Sequence, residues 1–222
     1  MRLIYIKLSD CSGCMVSFLP VLEKVPFQIV YFPNITDQGE LGEADLAIVN
    51  GSVNAESEEQ RKLLGEVRAL SRFVAAVGSC AAVGGVTRYL RGGQLPTPSH
   101  HTFLPVGDVI DVDFAIPGCP ASADIMVKFL VALERGDERY LTPLKNLTKK
   151  RKASGLDLQD DIVSRGLCSG CGMCALSCPV GAIEIVKGRP EVRMDLCIRC
   201  GTCYFRCPRM FVRLRKPDAE VV

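Results

Sequence analysis

The sequence lacks the features of a membrane or nucleic-acid-binding protein. No apolar run approaches the ~18 residues that a spanning helix needs. The chain opens on a strand-like segment, without a signal-peptide pattern or a twin-arginine motif, which predicts a cytoplasmic location. The net charge of +2 is too small for a nucleic-acid-binding surface. We therefore expect no direct membrane span and no nucleic-acid partner.

Groups that commonly perform acid–base or nucleotide chemistry are also scarce. The two histidines, His100 and His101, lie together in a proline-rich loop, and we interpret them as ordinary loop residues. There is no GxGxxG or P-loop motif, no evident general base and no identifiable nickel ligand. A short basic run at residues 149–152 is interpreted as a solvated linker. The sequence thus predicts no catalytic residue in this chain.

Cysteine, in contrast, is abundant, with 12 residues in a chain of 222. Eight of them form two copies of one CxxCxxCxxxCP pattern: Cys168, Cys171, Cys174, Cys178, Cys197, Cys200, Cys203 and Cys207. This spacing is typical of ferredoxins with two cubane clusters, in which the fourth cysteine of each run ligates the other cluster. It predicts a 4Fe–4S cluster on Cys168, Cys171, Cys174 and Cys207. It predicts a further cluster on Cys178, Cys197, Cys200 and Cys203.

Other uses of these cysteines fit less well. A reducing cytoplasm disfavours disulfides, and zinc does not need three cysteines within seven residues. The two runs repeat with a period of 29 residues, from Cys168 to Cys197, and segments 182–186 and 191–194 predict a hairpin around residues 187–190. A module this small depends on its clusters for stability. Its basic residues either raise the cluster potentials or form a solvated or partner-facing surface: Arg199, Arg206, Arg209, Arg213, Arg215 and Lys216.

Residues 1–145 alternate strand-like and helix-like segments, which predicts a flavodoxin-like α/β domain with a parallel sheet. Strands are expected at 2–8, 27–32, 45–50, 73–77 and 112–116, and helices at 15–24, 57–72 and 121–134. We expect a linker at residues 146–160. A small bacterial-type ferredoxin domain of the α+β class, with two 4Fe–4S clusters, is expected at residues 161–222.

The remaining cysteines each follow a predicted strand: Cys11 and Cys14 the first, Cys80 the fourth and Cys119 the fifth. Loops at the carboxyl ends of parallel strands converge on one crevice, so the four thiols are expected to meet there as an all-thiolate site. Alternatives are separate buried thiols, a thioredoxin-like CxxC redox pair, or zinc. The convergence, together with the ferredoxin module on the same chain, favours a third cluster.

Three segments together resemble the small subunit of nickel–iron hydrogenases: Cys11-Ser12-Gly13-Cys14, Gly78-Ser79-Cys80-Ala81-Ala82 with Gly84-Gly85, and Pro117-Gly118-Cys119-Pro120. The resemblance covers about residues 1–145 and implies a proximal 4Fe–4S cluster on Cys11, Cys14, Cys80 and Cys119. With the ferredoxin domain, the chain is most similar to the gamma subunits of cytoplasmic deazaflavin-coenzyme-reducing hydrogenases. It is short for that group, and Ala121 stands where the family often has a second proline.

The resemblance implies an electron relay from dihydrogen oxidation in a nickel–iron large subunit, through three 4Fe–4S clusters, to a flavin-containing or other acceptor subunit. Complex I-type subunits are related but typically have adjacent cysteines in the first motif. Two alternatives stay open: a relay in a non-hydrogenase oxidoreductase, and a soluble ferredoxin with an appended structural domain. The terminal acceptor also stays open among a deazaflavin coenzyme, NAD(P), ferredoxin and heterodisulfide reductase.

Overall fold

The computed structural model describes residues 1–36, 40–85, 102–150 and 154–210. The predictions for His100 and His101, for residues 151–152 of the basic run and for Arg213, Arg215 and Lys216 lie outside these residues. Within the described part of the chain, no helix combines the length and the apolar character needed to cross a bilayer.

Strands and helices alternate through the first part of the chain. The strands are β1 Arg2–Lys7, β2 Gln28–Tyr31, β3 Ala44–Asn50, β4 Val53–Asn54, β5 Ser71–Val77, β6 Phe103–Leu104, β7 Phe114–Ile116, β8 Ile183–Val186 and β9 Arg189–Val192. The α-helices are α1 Gly13–Lys24, α2 Glu58–Leu70, α3 Ser79–Val83, α4 Ala123–Arg135, α5 Glu138–Lys150, α6 Gly155–Leu158, α7 Met173–Leu176 and α8 Thr202–Arg206. A 3₁₀ turn covers Val106–Asp108 and a π-helical turn covers Gln159–Val163.

The central sheet has five parallel strands in the order β2-β1-β3-β5-β7. Counting only these strands, this is the order 2-1-3-4-5 of flavodoxin-like folds, which confirms the predicted class. β3 and β5 are almost entirely buried, because helices cover both faces of the sheet. The order reverses between β1 and β3, and ligand sites in such sheets lie at the carboxyl ends of strands near this reversal.

The predicted strands and helices of this domain are confirmed, with boundaries that differ by a few residues. α1 begins at Gly13, two residues before the predicted start. α2 begins after Ser57, whose hydroxyl accepts a hydrogen bond from the Gln60 amide at 3.2 Å. It ends at Leu70 because β5 already begins at Ser71, whose carbonyl accepts a hydrogen bond from the Arg68 guanidinium at 2.7 Å.

The predicted linker at 146–160 contains regular structure. α5 continues past residue 145 to Lys150, and its leucines Leu141, Leu144 and Leu147 are buried in the domain core. After the break, Ser154 and Asp157 form a capping box that starts α6. Residues 154 and 155 line a cavity of the C-terminal module, so residues before 161 also pack as part of this module.

The C-terminal module contains the predicted hairpin, formed by β8 and β9. The prediction gave the turn to residues 187–190, but the observed turn is only Lys187 and Gly188. Both residues have positive φ, 49° and 76°, which is the geometry of a tight primed turn that matches the twist of the strands. Pro190 therefore lies inside β9, where a two-stranded ribbon tolerates a missing donor.

Candidate metal centres

The four scattered cysteines meet at the carboxyl edge of the parallel sheet, and we call them the N-terminal site: Cys11, Cys14, Cys80 and Cys119. Cys11 follows β1, Cys14 lies in the first turn of α1, Cys80 lies in α3 directly after β5, and Cys119 follows β7. The amide of Ala121, in the Cys119 loop, donates to Cys14 Sγ at 3.4 Å. The fold thus brings residues more than 100 positions apart into one crevice.

The electrostatics of these thiols also indicate one shared site. Burial, together with the neighbouring Cys119, Cys14 and Cys11, raises the pKa of Cys80 to about 12. Burial raises the pKa of Cys119 to about 11, with contributions from Cys200, Cys14 and Cys11. Burial also raises the pKa of Cys14. Because their pKa values are raised, Cys14, Cys80 and Cys119 need a cation to become thiolates.

One cavity in the C-terminal module is lined by four cysteines, which we call the outer site: Cys168, Cys171, Cys174 and Cys207. The amide of Gly170 donates to Cys168 Sγ at 3.5 Å. Cys171 is exposed, so this site lies near the surface of the chain.

Another cavity is lined by the other four cysteines, which we call the inner site: Cys178, Cys197, Cys200 and Cys203. Cys197, Cys200 and Cys203 are buried. The amide of Ala182 donates to Cys178 Sγ at 3.2 Å. Each cavity therefore takes its fourth cysteine from the other CxxCxxCxxxCP run, which is the crossed arrangement that the spacing predicts.

The three sites suit a multi-iron cluster. At each one a backbone amide donates to a cysteine sulfur, and such bonds favour the thiolate that a metal requires. A single zinc ion binds sulfur at only about 2.3 Å, so it needs its ligands close around one point. Among the described residues, no three His, Cys, Asp or Glu side chains form a group that could hold one metal ion.

Ala121, the departure from the family's usual second proline, has a role in this geometry. Its amide is the donor to Cys14 Sγ, and a proline at this position would have no N–H to give. The preceding Cys119–Pro120 peptide is cis. The substitution therefore adds a hydrogen bond to the N-terminal site.

Two hydroxyl residues join the N-terminal site to the inner site, and the sequence reasoning missed both roles. The Thr202 hydroxyl accepts from the Cys119 amide at 3.2 Å and lies 3.3 Å from Cys200 Sγ. The Ser79 hydroxyl donates to the Cys200 carbonyl and accepts from the Gly118 amide at 3.1 Å. One feature of the sequence did indicate the role of Thr202: the two copies of the 29-residue repeat differ here, with Met173 in the first copy and Thr202 in the second.

Comparison with known proteins identifies relatives of both parts of the chain. Residues 11–133 match the family "NADH ubiquinone oxidoreductase, 20 Kd subunit", and residues 167–212 match the 4Fe-4S dicluster domain. The chain is 41% identical to the coenzyme F420 hydrogenase subunit gamma of Methanosarcina barkeri, covering 86% of this chain and 80% of the relative. It is 37% identical to the corresponding subunit of Methanococcus voltae, covering 85% of this chain and 87% of the relative.

A chain in the crystal structure of an NAD⁺-reducing [NiFe]-hydrogenase in the H₂-reduced state is also similar. It is 30% identical, with a TM-score of 0.47 over 61% of this chain and 92% of that chain. The two gamma-subunit relatives, in contrast, match across both domains. The chain therefore belongs to the hydrogenase gamma-subunit family and joins a domain of the NADH ubiquinone oxidoreductase 20 Kd type to a 4Fe-4S dicluster domain.

Proposed function

We propose that this chain is the electron-relay subunit of a nickel–iron hydrogenase and that its N-terminal, inner and outer sites each hold one 4Fe–4S cluster. A bound 4Fe–4S cluster exchanges single electrons at a potential set by hydrogen bonds, charge and solvent exposure. Dihydrogen oxidation takes place in the large subunit, which carries the nickel–iron site. The electrons leave this chain for an acceptor subunit that carries a flavin or another acceptor.

The observation that carries this proposal is the junction between the two domains. Cys119 of the N-terminal site and Cys200 of the inner site are joined through the single oxygen of Thr202. The inner and outer sites in turn exchange cysteines within one module. The three sites therefore form a series, which an electron relay needs. An appended structural domain gives no reason for a thiol site at this junction.

The gamma-subunit relatives support a more specific acceptor. The two relatives that match 86% and 85% of the chain are subunits of coenzyme F420 hydrogenases. In the proposed complex, a flavin subunit beside the outer site passes a hydride equivalent to a deazaflavin coenzyme. None of the 12 cysteines forms a disulfide, which suits assembly in the reducing cytoplasm.

Iron content and dihydrogen-driven reduction test the proposal together. The chain is purified without oxygen in complex with its partners, and iron, acid-labile sulfide and EPR signals are measured. We expect about twelve iron atoms per copy of this chain, in addition to those of the partners, because three cubanes hold four each. Dihydrogen should reduce all three clusters. About eight iron atoms would indicate a ferredoxin with a structural domain, and copurification without a nickel-containing subunit would indicate a non-hydrogenase relay.

Exposed apolar residues on α1 provide a second test, of the contact with the large subunit. Val16 is 60% exposed and lies in the same short helix as Cys14, with the half-exposed Leu19 one turn further on. We expect Val16→Glu to reduce copurification of the large subunit at least tenfold, because a charge buried at an interface is costly. Leu176→Glu is the matched control, since Leu176 is 85% exposed beside the outer site. Retention of the large subunit by Val16→Glu would contradict this assignment.

A further inference from the structure

The Thr202 hydroxyl occupies an unusual position between two metal sites. It accepts a hydrogen bond from the Cys119 amide at 3.2 Å, so its own proton is free to be donated elsewhere. Cys200 Sγ lies 3.3 Å from the same oxygen, within hydrogen-bond range for sulfur. When Cys200 is a thiolate it has no proton to give, so the hydroxyl must be the donor. Thr202 is only 7% exposed, and water therefore does not compete for this bond.

The internal repeat shows that this contact is specific to one half of the module. Gly172 and Gly201 precede equivalent helices and have the same backbone conformation, with φ of 73° in both. The next residue is Met173 at the outer site and Thr202 at the inner site. Met173 has no hydroxyl and is 44% exposed. The same backbone thus presents a hydrogen-bond donor at the inner site and an apolar side chain at the outer site.

Ser79 provides a second contact at the same junction, with a different chemical target. Its hydroxyl donates to the carbonyl oxygen of Cys200 and accepts from the Gly118 amide. Both hydroxyls therefore join the loop after β7 to Cys200. Ser79 reaches the backbone of that residue, and Thr202 reaches its sulfur. Substitution of Ser79 can weaken the junction without removing a hydrogen bond to the sulfur.

Resting on the proposed function, we propose that Thr202 is a positioning residue that raises the redox potential of the inner cluster above that of the outer cluster. A hydrogen bond to a ligating sulfur stabilises the added electron, because it offsets the extra negative charge. The bond from the Cys119 amide holds the hydroxyl in place, and Cys200 Sγ is the acceptor within reach among the described residues. A higher potential favours reduction of the inner cluster, and Thr202 also connects this site to Cys119 of the N-terminal site.

Redox titration of the anaerobically purified complex tests this inference. Chemical mediators set the potential, and EPR follows each cluster, so the result does not depend on dihydrogen or on turnover. The outer cluster is assigned with Cys171→Ser, which alters that site alone. We expect Thr202→Val to reduce the electron affinity of the inner cluster about tenfold, equivalent to about 59 mV for a one-electron couple. Thr202→Ser should restore it, because serine keeps the hydroxyl.

Two further variants distinguish an effect of the hydroxyl on the redox potential from an effect on packing at the junction. Ser79→Ala removes the neighbouring hydroxyl and should leave the inner potential unchanged, although it weakens the junction. Met173→Thr places a hydroxyl at the equivalent outer position and should raise the outer potential. Unchanged potentials in both Thr202→Val and Met173→Thr would overturn the inference while leaving the proposed relay intact. If dihydrogen fails to reduce the clusters of the wild-type complex, the proposed relay is contradicted. The redox titration can still be carried out in that case, because it does not depend on dihydrogen.

Discussion

Replacement of Cys119 with alanine is expected to remove about four of about twelve iron atoms and to abolish dihydrogen-driven reduction of the ferredoxin module. Cys119 supplies one thiol of the N-terminal site, and its amide holds Thr202 against Cys200. Without this site the inner cluster has no donor in the series. Dithionite should still reduce the inner and outer clusters. The measurements are iron content and EPR after incubation with dihydrogen or dithionite.

Cys171→Ala is the matched control for this experiment. It also removes one cysteine of a set of four, but at the exposed end of the series. We expect it to lose the outer cluster and activity with the natural acceptor, while dihydrogen still reduces the N-terminal and inner clusters. If the Cys119→Ala protein keeps its full iron content, or if dihydrogen still reduces its ferredoxin module, then the order of sites proposed here is wrong.

The fold was predictable because its physical causes are local in the sequence. Apolar runs such as 45–50 and 73–77 are buried strands of a parallel sheet, and amphipathic segments between them are helices. Parallel strands need crossover connections, so the alternation alone indicates the class. The cavities are lined as the spacing leads one to expect, with Cys178 and Cys207 each beside the three cysteines of the other run, although the cluster ligands themselves stay a prediction.

The junction between the domains could not be predicted in the same way. Ser79 contacts Cys200 across 121 positions of the chain and Cys119 contacts Thr202 across 83, and no periodic pattern in the sequence indicates how two domains dock. The extension of α5 to Lys150 had a similar cause. Pro143 and a run of polar residues disfavour a helix locally, whereas burial of Leu141, Leu144 and Leu147 in the core stabilises one. Tertiary packing therefore determines both the junction between the domains and the length of α5.

Gly78→Ala is expected to prevent assembly of the N-terminal cluster as completely as loss of a cysteine. Gly78 has a φ of +88°, and a Cβ placed on it would lie 2.5 Å from Cys14 Sγ. Real carbon and sulfur atoms do not approach so closely, so Cys14 or the loop after β5 must move. Either movement displaces a thiol, since Cys80 lies only two residues further along this loop. We expect about eight iron atoms instead of about twelve.

Gly136→Ala separates this steric effect from the general cost of positive φ. Gly136 ends α4 with a φ of +65°, and a Cβ there would meet no atom within 4 Å. We expect a loss of about 1–2 kcal/mol in the free energy of unfolding, because a non-glycine residue is strained in this conformation, but no loss of iron. Comparable iron content in the two alanine variants would contradict the steric role of Gly78. If Gly78→Ala holds about four fewer iron atoms than Gly136→Ala, the effect arises from the contact with Cys14. Backbone strain from a positive φ cannot explain the difference, because both glycines share it.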